Sequence, residues 1–128
     1  MRSLLLSFLL STAILIVKAQ PPCTGPGRVP GSAQAVCGNL TFNERDVTNC
    51  SGPDIPNPTS GCGQVTSDNS RWYKFHCYQA GTLGFLLTPQ NMADDYDWEI
   101  MDITGFLPGD VYTVELRVSL NLSGQTGI

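Results

Sequence analysis

The feature that most constrains this chain is a strict two-residue alternation near its C-terminal end. From residue 112 to residue 122 every second residue is apolar, and the residues between them are polar. Successive side chains of a β-strand point to opposite faces, so the pattern predicts one long, half-buried strand. We expect Leu116 to point inward and Glu115 to face solvent. The predicted inward face is Tyr112, Val114, Leu116, Val118, Leu120 and Leu122.

Three earlier segments, residues 71–78, 82–88 and 96–103, alternate in a similar way and are separated by turns rich in Gly and Pro. With the last strand, at 111–122, they predict an all-β fold: an antiparallel β-sandwich, jelly-roll-like, whose core is residues 69–128. A sandwich needs about seven strands, so we expect an incomplete domain, truncated at the C-terminus. The alternative is a complete small domain with disulfide-stabilised loops.

The first 19 residues are typical of a signal peptide. Arg2 precedes an apolar run that ends at Val17, and Ala19 precedes the expected cut before Gln20. The run is about 14 residues long, which is short for a membrane-spanning helix of about 20 residues. The sequence therefore predicts a secreted or cell-surface protein with no membrane insertion after cleavage. An uncleaved membrane anchor is the alternative.

Residues 20–68 form a segment rich in Pro, Gly and Cys. The chain has five cysteines, and none of them has the two-residue gap of a zinc or redox motif. In an exported chain they are disulfide candidates, and their odd number leaves at least one thiol unpaired. Cys50 and Cys62 bracket a turn-rich loop, so we predict a bond between them, and we expect Cys77 to face the interior. The five candidates are Cys23, Cys37, Cys50, Cys62 and Cys77.

The charge balance limits the class of partner. The chain carries 11 acidic against 7 basic residues, and the loss of Arg2 and Lys18 with a leader makes it more acidic. Binding to nucleic acid needs clustered Lys and Arg, which this chain lacks. We therefore expect no nucleic-acid partner, and an extracellular protein or a glycan instead.

Two groups of side chains are candidate binding sites. Asp94, Asp95 and Asp97 crowd one turn, and carboxylate oxygens at this density are the ligands of calcium. A solvated acidic turn is the alternative, and we expect no other cofactor. Trp72 and Tyr78 predict an aromatic platform for a sugar ring, unless Trp72 packs under a loop.

Catalytic residues are not expected. His76 is the only histidine, and its neighbour Cys77 points to the opposite face of the same predicted strand, so the two cannot form a nucleophile–base pair. Asp97 and Glu99 lie on one strand face, roughly 6.5–7 Å apart. That spacing suits a two-carboxylate hydrolase, but a solvated strand face explains it better. The sequence therefore predicts a protein that is not an enzyme.

Five blocks of sequence carry a resemblance to a known family. They are Asn69–Phe75, Gly81–Pro89, Asp94–Glu99, Asp102–Gly105 and Asp110–Thr113. In their order and spacing they resemble the N-terminal domain of large exported surface proteins of Bacteroidota. Those proteins often carry PKD-type repeats and a gliding-motility-associated C-terminal sorting domain.

The resemblance implies a jelly-roll-like or prepeptidase-C-terminal-like sandwich without an activity of its own. This chain departs from the family in lacking the repeats and the sorting domain, and residues 121–124 read Asn-Leu-Ser-Gly where the family has Asn-Trp-Ser-Gly. The expected function is a non-catalytic surface module for adhesion or display. The alternative is a carbohydrate-binding module of a secreted polysaccharide-degrading enzyme.

Overall fold

The computed structural model describes residues 19–44, 47, 49–57 and 65–122. The predicted signal peptide lies almost wholly outside these residues, as does Cys62. Regular structure in the described residues is mostly strand, with two 3₁₀ turns at Pro30–Ser32 and Pro108–Tyr112. The strands are β1 Gln34–Ala35, β2 Asp54–Ile55, β3 Val65–Thr66, β4 Tyr73–Lys74, β5 Trp98–Met101 and β6 Arg117–Asn121.

The strands pair into three small sheets. β2 with β3 and β5 with β6 are antiparallel, whereas β1 with β4 is parallel. The prediction of a β-rich fold is confirmed, and the described residues contain no α-helix. They also form no closed sandwich, and the predicted strand at 82–88 has no ladder partner there.

A disulfide between Cys23 and Cys50, with Cα atoms 4.8 Å apart, lies at the centre of the buried core. The predicted bond between Cys50 and Cys62 is therefore wrong. Two backbone hydrogen bonds explain the observed pairing, because Cys23 N donates to Ser51 O at 2.8 Å and Ser51 N donates to Pro21 O at 2.8 Å. They form a parallel bridge between Pro22 and Ser51, the chain neighbours of the two cysteines. Loop spacing could not predict this long-range contact.

Most of the core comes from the segment before residue 69, and not from the expected stretch 69–128. Two polar residues, Ser67 and Arg28, are buried together with the apolar residues of the core. The Ser67 hydroxyl donates to Pro53 O at 2.7 Å, and Arg28 Nη1 donates to Ser70 O at 3.0 Å. The buried apolar residues are Cys23, Ala33, Cys50, Ile55, Val65 and Val111.

The predicted strand 111–122 begins late. Pro108 opens a 3₁₀ turn, and the Asp110 carboxylate closes it by accepting a hydrogen bond from Leu107 N at 2.9 Å. Asp110 O also accepts hydrogen bonds from Thr113 N and Val114 N. A Pro at the first position and an Asp that caps the turn favour helical geometry here over an extended strand.

A bulge in β6 changes which side chains share a face. Ile100 lies opposite Ser119, but Met101 lies opposite Arg117, so Val118 is the extra residue. Directly opposed residues point to the same side of a sheet. Arg117 therefore shares a face with Leu120, although the alternation predicts opposite faces, and Val118 is 63% exposed. The inward-facing ladder predicted for 112–122 is wrong at this point.

The stretch from Phe75 to Asp97 lies on the surface. It is mostly exposed and forms no ladder, and Leu86 is 88% exposed. Cys77 is exposed as well, so the prediction that it faces the interior is wrong. The ring of Phe85 contacts that of Trp98 edge-on, with the two ring centroids 5.0 Å apart.

Candidate functional site

A charged cluster connects the β5–β6 hairpin to the end of β2. The Arg117 side chain is only 6% exposed, and its Nη2 atom lies 3.1 Å from Glu99 Oε1 and 3.9 Å from Glu115 Oε2. The same guanidinium donates to Asn57 Oδ1 at 3.1 Å and to Pro56 O at 3.0 Å. Arg117 thus holds a hairpin and a loop that are about 60 residues apart in sequence.

Of the two carboxylates paired with Arg117, that of Glu99 is the more buried. Its side chain is 8% exposed, and neither carboxylate oxygen accepts a well-formed hydrogen bond from the described residues. The contact with Arg117 is therefore mainly electrostatic. Burial raises the pKa of Glu99, and the charge of Arg117 offsets part of that rise. The expectation that Glu99 is solvated is wrong, because Glu99 lies opposite Leu120 and its side chain packs against Arg117.

A shallow cavity of about 270 Å³ lies beside Cys50. Its lining includes Arg28, Arg71 and three prolines, Pro21, Pro22 and Pro26. Arg71 Nη2 pairs with Glu44 Oε2 at 2.8 Å, while Arg28 donates to backbone carbonyls. These two guanidinium groups fasten the N-terminal loop to the chain near residue 70.

Glu44 also holds Tyr73, whose hydroxyl donates to Glu44 Oε1 at 3.0 Å. Burial and the hydrogen bond to this carboxylate raise the pKa of Tyr73 to about 12. The hydroxyl therefore stays protonated at neutral pH. The ring centroids of Phe42 and Tyr73 lie 5.1 Å apart, so residues 42–44 cover part of β4.

The two residues of the predicted sugar platform have different surroundings. Trp72 is half-buried, and its Nε1 donates a hydrogen bond to Ser70 Oγ at 2.8 Å. Its ring contacts that of Tyr112 edge-on, with the two ring centroids 6.1 Å apart. Tyr78 is 92% exposed, and its ring lies 5.4 Å from His76. No ring contact joins Trp72 to Tyr78 within the described ranges, so the structure leaves them as separate surfaces.

The acidic turn is held by its own backbone. Asp94 N donates to Asn91 O at 2.9 Å, and Asp94, Asp95 and Asp97 are all exposed. Partial burial raises the pKa of Asp97, and the negative charge of Asp95 adds to the rise. Within the described ranges no three His, Cys, Asp or Glu side chains gather in a group that could hold a metal ion. A calcium site here stays a prediction.

Arg117 and Arg28 are the positioning residues that the sequence did not reveal. The sequence carries only a weak indication of this role. Arg117 is an isolated cation in a predicted β-strand, and Arg28 is one in a Gly/Pro-rich loop. In a chain with few basic residues, an arginine placed among turns or strand residues often pairs with backbone carbonyls or a buried carboxylate.

Among the described residues, no helix is both long enough and apolar enough to span a bilayer. No protein-family model, curated protein or solved structure matches this chain. The resemblance to surface proteins of Bacteroidota therefore stays a prediction.

Proposed function

We propose that this chain is an exported, non-catalytic module that serves adhesion or display at a cell surface, at the N-terminus of a larger bacterial protein. The observation that carries the proposal is the pairing of a disulfide-centred core with a long apolar surface stretch. Disulfides persist in oxidising compartments outside the cytoplasm, and Cys23–Cys50 is buried in this core.

The stretch from Phe75 to Asp97 supports a role in contact with another polypeptide or a glycan. Exposed apolar surface of this extent marks interaction sites in folded proteins. The exposed apolar side chains Leu83, Phe85 and Leu86 also fit a jelly-roll-like β-sandwich in which further strands cover them. The family resemblance supports the same placement at the start of a surface protein.

The side chains that could perform chemistry have other roles in this arrangement, which supports the non-catalytic part of the proposal. Glu99 is paired with Arg117, while Asp97 lies on the exposed side of the turn. The two carboxylates therefore do not face a common cleft, as a two-carboxylate hydrolase requires.

Export is tested with the full chain and its own leader in a bacterial host. We expect intact mass spectrometry to find a mature form that starts at Gln20, and protease added to intact cells to degrade it. The matched control is Leu9→Arg, which places a charge in the apolar run and should leave the chain uncleaved and protected. Wild-type protein that stays uncleaved in the cytoplasm would refute the proposal.

A second candidate, a carbohydrate-binding module, rests on Tyr78. An aromatic face that is 92% exposed can stack on a sugar ring. Co-sedimentation of the exported chain with insoluble polysaccharides tests it. If the chain is a carbohydrate-binding module, Tyr78→Ala should abolish binding to the polysaccharide. The control Leu86→Ala, at an apolar residue of similar exposure, should leave binding intact. Equal binding by both variants, or none by wild type, favours adhesion or display.

A further inference from the structure

The parallel pairing of β1 with β4 brings two cysteines to the same end of one ladder. Gln34 lies beside Tyr73 and Ala35 beside Lys74, and the ladder ends where Val36 N donates to Lys74 O at 2.8 Å. Parallel strands leave their ladder in the same direction. Cys37 follows Val36 directly, and Cys77 follows Lys74 by three residues, so both lie just beyond this end.

The end of the ladder is close to both cysteines. The last paired residues are Ala35 of β1 and Lys74 of β4, so Cys37 lies two residues and Cys77 three residues beyond the last pair. Neighbouring strands lie about 4.8 Å apart, so the two cysteines leave the ladder close together. Disulfides join Cα atoms about 4.4–6.8 Å apart.

The surroundings leave room for a bond. Both cysteines are exposed, and their thiols are not bonded to each other in this structure. Gly38, which directly follows Cys37, has φ +66°, and a Cβ placed on it meets no atom within 4 Å. The chain turns at Gly38 after the ladder has ended, so strand alternation no longer fixes the direction of either cysteine side chain.

We propose that Cys37 and Cys77 form a second disulfide and that Cys62 is the odd thiol of the chain. The oxidant is a low-molecular-weight disulfide, such as oxidised glutathione, or a dithiol oxidase of the compartment. One thiolate attacks the carrier disulfide to give a mixed disulfide and releases one carrier thiol. The second thiolate then displaces the other carrier thiol. The two cysteines lose two protons and two electrons, and the carrier is reduced.

This bond fixes the point at which the apolar stretch leaves the core. β4 ends at Lys74, and the exposed stretch begins at Phe75. A crosslink from Cys77 to the end of β1 holds the first residues of that stretch against the disulfide-centred core. The stretch is then presented from a rigid base, which lowers the entropy lost when it is covered.

Tryptic mapping without reduction tests the pairing on the exported full chain, after free thiols are alkylated in denaturant. Cleavage after Arg28, Arg45, Arg71, Lys74 and Arg117 separates Cys37, on residues 29–45, from Cys77, on residues 75–117. Cys50 and Cys62 stay together on residues 46–71. We expect peptide 29–45 linked to peptide 75–117, and one alkylated cysteine per chain, at Cys62.

Two variants make the result decisive. Cys62→Ser should remove the single alkylated site and keep the link between the two peptides. Cys37→Ser should raise the number of alkylated cysteines from one to two, at Cys62 and Cys77. A link from peptide 46–71 to either of the other two through Cys62, or alkylation of Cys37 and Cys77 in the wild type, would overturn the proposal.

Discussion

At the scale of single residues, the close approach of two backbones leaves no room for a side chain at Gly52. A Cβ placed on Gly52 would lie 2.6 Å from Ser67 O and would also clash with the Ser67 hydroxyl. Gly52 N donates to Asp68 Oδ1 at 2.7 Å, which fixes the position of the strand that follows Cys50. No flexible side chain can move aside, because the obstacle is backbone.

We therefore predict that Gly52→Ala lowers the free energy of unfolding by about 1–3 kcal/mol. Urea denaturation with the disulfide intact measures the effect. Gly109→Ala is the matched control: its Cβ would meet no atom within 4 Å, so the change should stay within about 0.5 kcal/mol. Equal stabilities of the two variants would contradict the close approach of Gly52 to Ser67.

The buried carboxylate of Glu99 predicts a specific pH dependence. Burial raises its pKa in the folded state above the ordinary value of 4.5. The stability that the protonated form contributes is complete below 4.5 and is lost as pH rises through the folded-state pKa. Glu99→Gln should therefore remove a decline in stability that the wild type shows as pH rises from 4.5 toward neutrality.

Chemical denaturation at a series of pH values measures that decline. Asp102→Asn is an informative control, because hydrogen bonds from Thr104 lower the pKa of Asp102. Asp102 therefore contributes stability above its ordinary pKa of 3.8 that is lost as pH falls, which is the opposite sign. If Glu99→Gln and wild type show the same slope above pH 4.5, Glu99 is solvated.

At the scale of elements, the sequence predicted the two strands β5 and β6 but neither their pairing nor their faces. The alternation around Trp98 and from Arg117 to Asn121 was sufficient to locate both strands. A bulge at Val118 cannot be predicted from an alternating pattern, because it inserts one residue without breaking the pattern. The 3₁₀ turn at Pro108–Tyr112 was visible only as a turn signal, since its apolar Val111 and Tyr112 also fit a strand.

Local patterns predicted the site even less well than the strands. The Cys23–Cys50 bond and the contact of Arg117 with Asn57 join residues far apart in sequence. No spacing rule predicts such pairs, because they depend on which loops meet in the folded chain. Tyr78 is exposed, whereas Trp72 packs on Tyr112 and not beside Tyr78, and the sugar platform stays a prediction.

The bulge predicts unequal roles for two apolar residues of β6. Leu120 lies opposite Glu99 and is half-buried, whereas Val118 is mostly exposed. We predict that Leu120→Ala costs about 1–2 kcal/mol and that Val118→Ala costs less than about 0.5 kcal/mol. Urea denaturation of both variants decides between this face assignment and uninterrupted alternation, which would make the two losses similar.

At the scale of the whole molecule, the described residues divide into a fastened base and an uncovered stretch. The base has the disulfide, the paired arginines and the buried apolar residues. The stretch from Phe75 to Asp97 is joined to the rest of the described residues by few contacts, among them Phe85 on Trp98 and Gln90 on Asn43. Most of its apolar side chains are exposed, Leu86 to 88%. Such a surface favours association in an isolated chain.

Leu86→Glu tests this division. Leu86 is 88% exposed, so the substitution should change the free energy of unfolding by less than about 0.5 kcal/mol. A negative charge on the apolar stretch of an acidic chain should also reduce self-association, which sedimentation velocity measures over a range of concentrations. Leu120→Glu is the matched control, because a charge on the buried face of β6 should unfold the hairpin. If Leu86→Glu destabilises the protein by more than about 2 kcal/mol, the stretch belongs to a closed core, and adhesion through this surface is excluded.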